Sequence, residues 1–423
     1  MLQLNYIREN KADIIKRLAI KNFDAAEIVD HVIKFDDLRK ITQKELDDIL
    51  STSNKLAKEI GNLYSSEQHE KAEEAKEESI NLKKTAKELE QKLNDTVNNL
   101  NSFLIELPNI PHNSVPSGKS DADNELMHEE GVIPELAEGS LPHWDLASKY
   151  NIIDFDLGSK VTGAGFPFYR GKGARLQRAL INFFLDEALA QDYIEYQPPL
   201  LINSDSGFGT GQLPDKEGQM YFISEDDLYL IPTAEVPITN IYRNTILKED
   251  DFPIKNVAYS SCFRREAGSY GKDVRGLNRL HQFDKVEIVQ VQHPDKSYNT
   301  LEEMKDQIAA LLRKLELPFR IVRLCGGDLS FASALTYDFE VFSAAQKRWL
   351  EVSSVSNFEN FQANRMKLRF KDENGKSRLA HTLNGSALAL PRIVAALLEN
   401  NQSELGIVIP EVLRSYTRFD IID

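Results

Sequence analysis

The sequence is poor in the features that mark secreted, membrane-spanning and zinc-binding proteins. Among 423 residues only two are cysteine, Cys262 and Cys325, too few for a disulfide framework or a four-ligand zinc site. No segment approaches the ~18 consecutive apolar residues that a membrane helix needs. The N-terminal segment MLQLNYIRENKADIIKRL contains Glu9 and Asp13 and has no apolar core with a cleavage site. We therefore expect a cytoplasmic protein that binds neither a membrane nor zinc.

Positive charge is also scarce. Lys+Arg total 51 against 66 for Asp+Glu, a formal net charge of −15, which argues against indiscriminate nucleic-acid binding but allows a local basic patch. The sequence has neither a G-x-x-x-x-G-K-[ST] nor a G-x-G-x-x-G motif, so any nucleotide must be held by something other than a glycine-rich phosphate loop. The length predicts two or three domains.

Residues 28–107 form the first distinctive segment. They contain one glycine, Gly61, and no proline, and their apolar residues recur at helical spacings of three and four. These residues make two seams, one on each side of a polar stretch: Leu46, Ile49, Leu56, Ile60 and Leu63, then Leu82, Ala86, Leu89, Leu93, Leu100, Phe103 and Leu107. Each seam needs a partner helix to hide it from water. The sequence therefore predicts an antiparallel helical hairpin closed near residues 64–72, with helices of roughly 50 Å, in a domain of residues 1–108.

This predicted arm has two interpretations. It is either a coiled coil for dimerisation, as for most sequences with this pattern, or a lever that reaches a distant feature of a large partner. The tip, YSSEQHEKAEEAKEES, is acidic, so attraction to phosphates could not by itself drive binding there. Better candidates for contact with a nucleic acid lie further along the shaft: Lys55, Lys58, Lys83, Lys84 and Lys87.

A second domain is predicted over residues 125–423, after a linker of residues 109–124. Three prolines end the helices, and the polar sequence PHNSVPSGKSDADNE suggests an exposed connection. One amphipathic helix, GARLQRALINFFLDEALAQ, precedes a series of strand-like runs that helices interrupt only at about residues 295–315 and 389–401. The runs are MYFI, LYLIP, VAYSSCF, KVEIVQV, FRIVRLC, TYDFEVF and RWLEVSSV. This order predicts an α+β fold with an antiparallel sheet flanked by helices.

The stretch FRREAGSYGKDVRGLNRLHQF concentrates arginines around a single glutamate. We predict two strands joined by a long turn, with Arg264 and Arg279 at the strand ends. Arginines grip phosphate oxygens in a planar, two-point manner, Glu266 can accept a hydrogen bond from an exocyclic amine such as that of adenine, and Phe283 offers a face on which a base can stack. A nucleoside triphosphate fits this set. The alternative is a solvated basic hairpin, or one that contacts a nucleic-acid backbone.

Three other segments carry candidate site residues. In LYLIPTAEVPITN, Thr233 and Glu235 lie where a strand ends in a turn, so they are either site residues or turn and capping residues. In EVSSVSNF, strand alternation predicts Glu351 and Ser353 on one face, where a single carboxylate suits a Mg²⁺ ion that also takes phosphate oxygens. In HTLNGSALALPRIVAALLENN, a strand, a turn and a helix place Arg392 in the first helical turns, either for phosphate or as a surface charge.

Together these segments resemble the class II aminoacyl-tRNA synthetases, and specifically the bacterial-type seryl-tRNA synthetases, over essentially the whole chain. RALINFF…EYQPP is similar to motif 1 of that class, FRREAG…RGLNRLHQF to motif 2, and LNGSALALPR to motif 3. The segments TGQLP, PTAE and FQANR are more particular to the seryl enzymes, and the N-terminal hairpin is similar to their tRNA-binding arm.

The resemblance implies a role for each matching position. Arg264 would bind the α-phosphate and the amino-acid carboxylate, and Glu266 would bind adenine, which Arg279 and Phe283 would sandwich. Arg392 would bind the γ-phosphate and, with Arg264 and Glu266, would be catalytic. The whole implied ATP set is Arg264, Arg265, Glu266, Arg279, Phe283, Glu351, Val352, Ser353, Ser354 and Arg392, with Glu351 and Ser354 holding Mg²⁺. The implied serine set is Thr233, Ala234, Glu235, Arg264, Glu287, Asn384 and Ser386.

The resemblance further implies the activity of a serine–tRNA ligase. ATP and L-serine would give seryl-adenylate and pyrophosphate, and serine would then pass to the 3′ end of tRNA(Ser), with tRNA(Sec) as a further candidate. The family also implies a homodimer through motif 1, in which the arm of one subunit grips tRNA that the other aminoacylates. Three positions depart from the commonest pattern: Arg265 stands where Ser is frequent, and Ala387 and Pro391 stand where Gly is frequent.

Two other functional classes compete with this one. An amino-acid-activating enzyme that loads a carrier protein would use a similar catalytic domain, but such relatives lack the long N-terminal arm. A catalytically inactive paralogue used as a scaffold would be expected to have lost its arginines or Glu266, and these are present. Exchange of pyrophosphate into ATP in the presence of serine separates the inactive paralogue from the other two.

Overall fold

The computed structural model describes residues 1–266 and 275–423. They form two compact units, one of Met1–Ala19 with Phe23–Pro108 and one of Ile20–Asn22 with Asn109–Asp423. Among the described residues, no helix combines the length and apolar character needed to cross a bilayer.

The first unit is a helical hairpin preceded by two short helices. Its helices are α1 (Leu4–Glu9), α2 (Lys11–Leu18), α3 (Ala26–Ser65) and α4 (His69–Leu104). The aromatic rings of Phe35 and Phe103 stack across the hairpin with centroids 5.5 Å apart. Near the tip, Tyr64 Oη donates to Glu73 Oε1 at 2.5 Å. The predicted antiparallel hairpin is confirmed, and it closes at residues 66–68, because the seams of α3 and α4 bury each other.

The second unit is built on one eight-stranded sheet. Its strands are β1 (Glu125–Glu130), β2 (Ile194–Tyr196), β3 (Ile254–Phe263), β4 (Gln282–Gln292), β5 (Phe319–Arg323), β6 (Leu335–Ser343), β7 (Arg348–Asn357) and β8 (His381–Ala389). Their order is β1-β5-β6-β7-β8-β4-β3-β2, and every neighbouring pair is antiparallel except β2 with β3. The predicted α+β architecture is therefore confirmed.

Helices and smaller sheets surround this sheet. The helices are α5 (His143–Lys149), α6 (Phe155–Val161), α7 (Gly171–Leu189), α8 (Ser204–Thr210), α9 (Glu235–Asn240), α10 (Ser297–Lys314), α11 (Phe361–Met366), α12 (Leu390–Asn400) and α13 (Glu411–Thr417). The smaller strands are Ile153–Asp154, Phe168–Tyr169, Leu201–Asn203, Phe222–Ile223, Leu228–Leu230, Ile246–Lys248, Arg369–Lys371, Ser377–Leu379, Gln402–Ser403, Gly406–Val408 and Ile421–Ile422. Apolar residues of α7, α10 and α12 pack on the sheet in one continuous core that includes Phe183, Met304 and Val394.

Two sequence-based expectations need correction here. Helices interrupt the strands more often than the two predicted times. The sequence does not predict α8, α9 and α11 because each contains only six or seven residues, too few for a helical period to stand out. The expected exposed connection is wrong for its first part. Val115 is buried, and Asn109 donates from Nδ2 to the carbonyls of Ala332 and Phe358 at 2.9 and 2.8 Å.

Candidate active site

The ends of β3 and β4 carry the first group of predicted site residues. The strands pair in register, with Cys262 opposite Phe283, and the backbone N–H of Arg264 donates to His281 O at 2.9 Å just beyond the strand end. The Arg264 guanidinium lies over the Phe283 ring, 5.3 Å from its centroid. The long turn that is predicted to join these strands lies largely outside the described residues.

Arg279 and Glu266 face each other across this hairpin. Arg279 Nε forms an ion pair with Glu266 Oε2, and both residues line a cavity of ≈ 700 Å³ that Trp144 and Phe166 also line. The side chain of the neighbouring Arg265 is exposed, while its backbone N–H donates to Gln219 O at 2.8 Å. The carboxylate predicted to bind a base is therefore held at a fixed position by one of the predicted arginines.

Arg392 links the helix α12 to the same region. It lies in the first turn of α12, one residue after Pro391, which is tolerated there because the first amides of a helix have no helical acceptor. Its Nε donates to Asn278 O at 3.0 Å, next to Arg279 in sequence, and its Nη1 donates to Glu351 O at 2.8 Å. Its Nη1 also lies 3.5 Å from Glu351 Oε2. The arginine thus joins the end of the hairpin to β7.

A β-bulge in β7 corrects the predicted placement of its polar residues. Glu351 pairs with Glu340 and Ser353 pairs with Phe339, so Val352 is left without a partner on β6. The extra residue reverses the alternation, and Ser353 faces the buried side, where its Oγ donates to the backbone carbonyl of Ser386 at 2.5 Å. Strand alternation alone had predicted Glu351 and Ser353 on one face, which is wrong.

The same bulge brings Glu351 and Ser354 to one face of β7. Ser354 pairs with Asp338 of β6, and Asp338 Oδ1 is buried with no hydrogen-bond partner among the described residues. Burial, and next the negative charge of Glu351, raises the pKa of Asp338 well above its ordinary value. Two carboxylates and a hydroxyl form an all-oxygen donor set, which suits Mg²⁺, and the orphaned oxygen is consistent with a cation at this point.

A second group of polar side chains lies around two buried carboxylates. We call it the two-carboxylate cluster: Thr233, Glu235, Lys285, Glu287, Gln362, Asn384 and Ser386. Lys285 and Glu287 lie two residues apart on β4, and Lys285 Nζ is 2.6 Å from Glu287 Oε2. The same ammonium donates to Thr233 Oγ1 at 2.8 Å. Ser386, opposite Glu287 on β8, donates from Oγ to the same carboxylate oxygen at 3.3 Å. The Glu287 carboxylate is therefore fully charge-compensated from within the cluster.

Among the residues that the structure describes, the Glu235 carboxylate forms no ion pair of this kind. Gln362 Nε2 donates to Glu235 Oε1 at 2.7 Å, and Gln212 Nε2 lies 3.5 Å from Oε2. Burial, and next the negative charge of Glu287, raises the pKa of Glu235 to about 7. An ionised Glu235 therefore favours a bound cation. The buried Asn384 amide lies within reach of Glu235, where it acts with Gln362 and the charge of Lys285 to oppose this rise in pKa.

Several residues of the site were not predicted individually. Lys285 is a cation inside an otherwise strand-like run, two residues before Glu287, and that spacing was a usable signal for a buried ion pair. Gln362 lies within the FQANR segment that was singled out, but its contact depends on the short helix α11. No local signal identified Asp338, because its role depends on the register between β6 and β7. Ala234 and Ala387, the sequence neighbours of Glu235 and Ser386, are buried in apolar clusters.

Comparisons with known proteins agree with this geometry. Residues 1–111 match the seryl-tRNA synthetase N-terminal domain, and residues 221–401 match the tRNA synthetase class II core domain (G, H, P, S and T). A serine–tRNA ligase of Salinibacter ruber is 49% identical over 99% of this chain and 98% of its own length.

Two solved structures are similar over the whole chain. The seryl-tRNA synthetase of Pyrococcus horikoshii complexed with ATP has a TM-score of 0.92 and 34% identity, covering 100% of this chain and 99% of its own. The cytoplasmic serine–tRNA ligase of Naegleria fowleri in complex with AMP has a TM-score of 0.86 and 26% identity, with the same coverage. The chain accordingly belongs to the serine–tRNA ligase family of class II aminoacyl-tRNA synthetases and is an aminoacyl-tRNA ligase.

Proposed function

We propose that the arginines at the ends of β3, β4 and β8 bind one ATP molecule. Arg264 binds the α-phosphate and the serine carboxylate, Arg392 binds the γ-phosphate, and Glu266 accepts a hydrogen bond from the adenine amine. Adenine lies between the Phe283 ring and the Arg279 guanidinium. Two contacts support the proximity of these four residues: Arg264 lies over Phe283, and Arg279 is paired with Glu266. Adenine would take the place of the second contact when it binds.

The first chemical step needs positioning more than a general base. The serine carboxylate is ionised at neutral pH, and its oxygen attacks the α-phosphorus of ATP while the bond to pyrophosphate breaks. Negative charge accumulates on the phosphate oxygens, and Arg264 and Arg392 compensate it. In the second step the 3′-terminal ribose hydroxyl of tRNA attacks the seryl carbonyl, which releases AMP and a proton.

The two-carboxylate cluster selects serine. Glu235 receives the substrate ammonium, and Glu287 with Ser386 hydrogen-bonds the substrate hydroxyl. Alanine would leave these buried groups unpaired, a mismatch that sites built for hydrogen bonding reject strongly. Threonine carries one more methyl group than serine, and the buried side chains of Thr233, Glu287 and Ser386 exclude it sterically in this proposal.

A magnesium ion would be held by Glu351 and Ser354 of β7, with the Asp338 carboxylate on the same face. When bound, the ion neutralises phosphate charge and orients the triphosphate. The chain's own contribution is to bring these oxygens together with Arg392, whose Nη1 lies 3.5 Å from Glu351 Oε2. Phosphate would then be held from two sides.

We also propose that the chain works as a homodimer with tRNA(Ser). The edge strand β2 leaves Ile194 exposed, with Leu200 and Leu201 just beyond it, and such an edge with apolar neighbours suits a second copy. The hairpin of α3 and α4 would bind tRNA through its five exposed shaft lysines, and tRNA(Sec) is a second substrate to be tested.

The observation that carries this proposal is the buried Glu235 carboxylate, which forms no ion pair with a cation in the described part of the chain. The test is amino-acid-dependent exchange of pyrophosphate into ATP with serine, threonine, alanine and glycine. We expect exchange with serine at least about 100-fold above alanine. Exchange with none of the four would rule out the proposed activation step, and equal exchange with alanine would rule out the role of the cluster.

A further inference from the structure

A buried histidine connects two parts of the site that the proposed substrate contacts do not explain. His143, at the start of α5, and Glu399, in α12, both have side chains that are 0% exposed. The His143 backbone N–H donates to Glu399 Oε1 at 2.9 Å, and the ring Nδ1 lies 2.7 Å from the same oxygen. On the other side of the ring, the Leu277 backbone N–H lies 2.8 Å from Nε2. Since a backbone N–H only donates, Nε2 accepts and Nδ1 carries the proton.

The ring supports the segment that leads into β4. Gly276 precedes Leu277 and has a positive φ of 68°. A Cβ at Gly276 would lie 2.2 Å from the His143 Nε2, so the backbone packs directly on the imidazole. Arg279, which pairs with Glu266, follows two residues after Leu277. The position of Arg279 therefore depends on the contact between Leu277 and His143.

A second link runs parallel to the first. Asn278 Nδ2 donates to Gln346 Oε1 at 2.9 Å, and Gln346 Nε2 donates to Glu399 Oε1 at 2.9 Å. Ser343 Oγ donates to the other oxygen of Glu399. The Asn278 carbonyl in turn accepts from Arg392 Nε at 3.0 Å. Glu399 is thus the common acceptor of a network that reaches both arginines assigned to ATP.

We propose that His143 is a positioning residue for ATP, which holds Arg279 and the Arg392 acceptor in place through Leu277 and Glu399. The inference rests on the proposed roles of Arg279 and Arg392. We expect an effect on ATP binding and not on serine binding, because the contacts described above do not involve the two-carboxylate cluster. Small displacements of charged groups around a reacting phosphate lower rates strongly, so loss of the Leu277 contact should weaken ATP binding selectively.

Two amide substitutions separate the two ends of the imidazole. His143→Asn keeps a donor near the Nδ1 position for Glu399 but loses the acceptor for Leu277. His143→Gln places an amide oxygen near the Nε2 position and keeps that acceptor. We expect His143→Asn to raise the KM for ATP about tenfold in the exchange assay with little change in the KM for serine, and His143→Gln to raise it less than about threefold.

The control is His381→Gln, since the His381 Nδ1 has a partly buried contact at a similar distance, 2.8 Å from Ser297 Oγ, away from the network. It should lower the melting temperature and leave the KM for ATP unchanged. Equal increases for the Asn and Gln variants of His143, or a parallel increase in the KM for serine, would overturn the positioning role.

Three further variants complete the test. If Arg279→Ala and Arg392→Ala leave the KM for ATP unchanged, the proposed ATP site itself is wrong; if they raise it and His143→Asn does not, only the present inference fails. If His143→Asn gives no folded enzyme, Gln346→Met is the variant to use, because it removes the hydrogen bonds of Gln346 to Asn278 and Glu399. It should raise the KM for ATP and leave the KM for serine unchanged. An unchanged KM in that variant would also overturn the inference.

Discussion

At the scale of single residues, the site depends on how each charge is compensated inside the protein. Glu287 has Lys285 at 2.6 Å, whereas the polar partners of Glu235 in residues 1–266 and 275–423 are side-chain amides, those of Gln362 and Gln212 among them. A buried carboxylate without a cation is costly to ionise, and its pKa rises accordingly. The difference between the two carboxylates gives each a separate task, and it makes the binding of an ammonium group dependent on pH.

The first prediction follows from the pKa of about 7 for Glu235, which burial and Glu287 raise. Below that pH the free enzyme carries a protonated Glu235, and a proton must leave before an ammonium group binds. We expect kcat/KM for serine to fall towards tenfold per unit as pH decreases below about 7, with the KM for ATP little affected. Calorimetry in buffers of different ionisation enthalpy at pH 6 should show release of close to one proton. A KM for serine that is constant between pH 6 and 8 would contradict this.

The second prediction concerns Asp338. Replacement by Asn removes a negative charge from the oxygen set of Glu351 and Ser354 while keeping the size of the side chain. We expect Asp338→Asn to weaken binding of Mn²⁺, used as a probe in place of Mg²⁺, about tenfold in the presence of ATP, as measured by equilibrium paramagnetic titration. Glu340→Gln is the matched control on the same strand face, because Glu340 is already paired with Arg320. Equal losses in both variants would refute the specific role of Asp338.

At the scale of elements, the sequence predicts the helices and strands that are marked by local periodicity. The seams of α3 and α4 and the main strand runs were recognisable because many residues share one pattern. The side on which Ser353 lies was mispredicted, since the bulge at Val352 arises from pairing with β6, which is not encoded in the local alternation. The same holds for Asp338 and for α11, whose six residues matter through their contacts with distant segments.

Helix α11 gives the third prediction. Arg365 is 6% exposed, and its Nη1 donates to the carbonyls of Phe208 and Leu213, both at 3.1 Å. These contacts hold the segment that carries Gln212 beside Glu235. The Arg365 guanidinium also lies over the rings of Phe208 and Phe361, 4.7 and 5.0 Å from their centroids, and lysine has no planar group to keep this stacking. We expect Arg365→Lys to raise the KM for serine about fivefold with a smaller effect on the KM for ATP.

The control for Arg365 is Arg378→Lys. Arg378 also lies over a phenylalanine ring, 5.5 Å from the centroid of Phe370, and its polar contacts in the described part of the chain are with His293 and Asp295, outside the segment of residues 208–213. The combined variant Arg365→Lys with Gln212→Ala should be no worse for serine than Gln212→Ala alone, because both changes act on one contact. Additive losses would instead assign Arg365 to general stability.

At the scale of the whole molecule, acidic composition and tRNA binding are compatible because the basic groups are local. The net charge is −15, yet Lys55, Lys58, Lys83, Lys84 and Lys87 on the arm are all exposed. None of these lysines forms an ion pair within the described ranges. Unpaired cations on an extended hairpin can follow a phosphate backbone without giving the whole protein an affinity for nucleic acid.

The last prediction separates the arm from the catalytic unit. The Phe35–Phe103 stack fixes the register of α3 against α4. Residues 43 and 95 each lie eight residues from this stack in the direction of the tip, so the two helices are cut at the same level. Replacing residues 43–95 by a short glycine-containing turn should therefore shorten the hairpin without exposing its base. We expect serine-dependent exchange to stay within about twofold of the full-length chain, because activation uses only ATP and serine. Charging of tRNA(Ser) should fall by about two orders of magnitude or more, since the lost phosphate contacts supply much of the affinity.

Reversing charge at Lys83, Lys84 and Lys87 in the full-length chain distinguishes lost length from lost charge. If the lysines contact the tRNA backbone, their replacement by Glu should reproduce the loss of charging. The difference from the unaltered chain should narrow with added salt, because a variant that makes fewer phosphate contacts has a tRNA affinity that depends less steeply on salt concentration. A shortened arm that still charges tRNA(Ser) would leave only a structural role for the hairpin. If the full-length variant with reversed charges still aminoacylates tRNA(Ser) normally, the arm keeps its role as a lever, but other residues of the hairpin surface contact the tRNA.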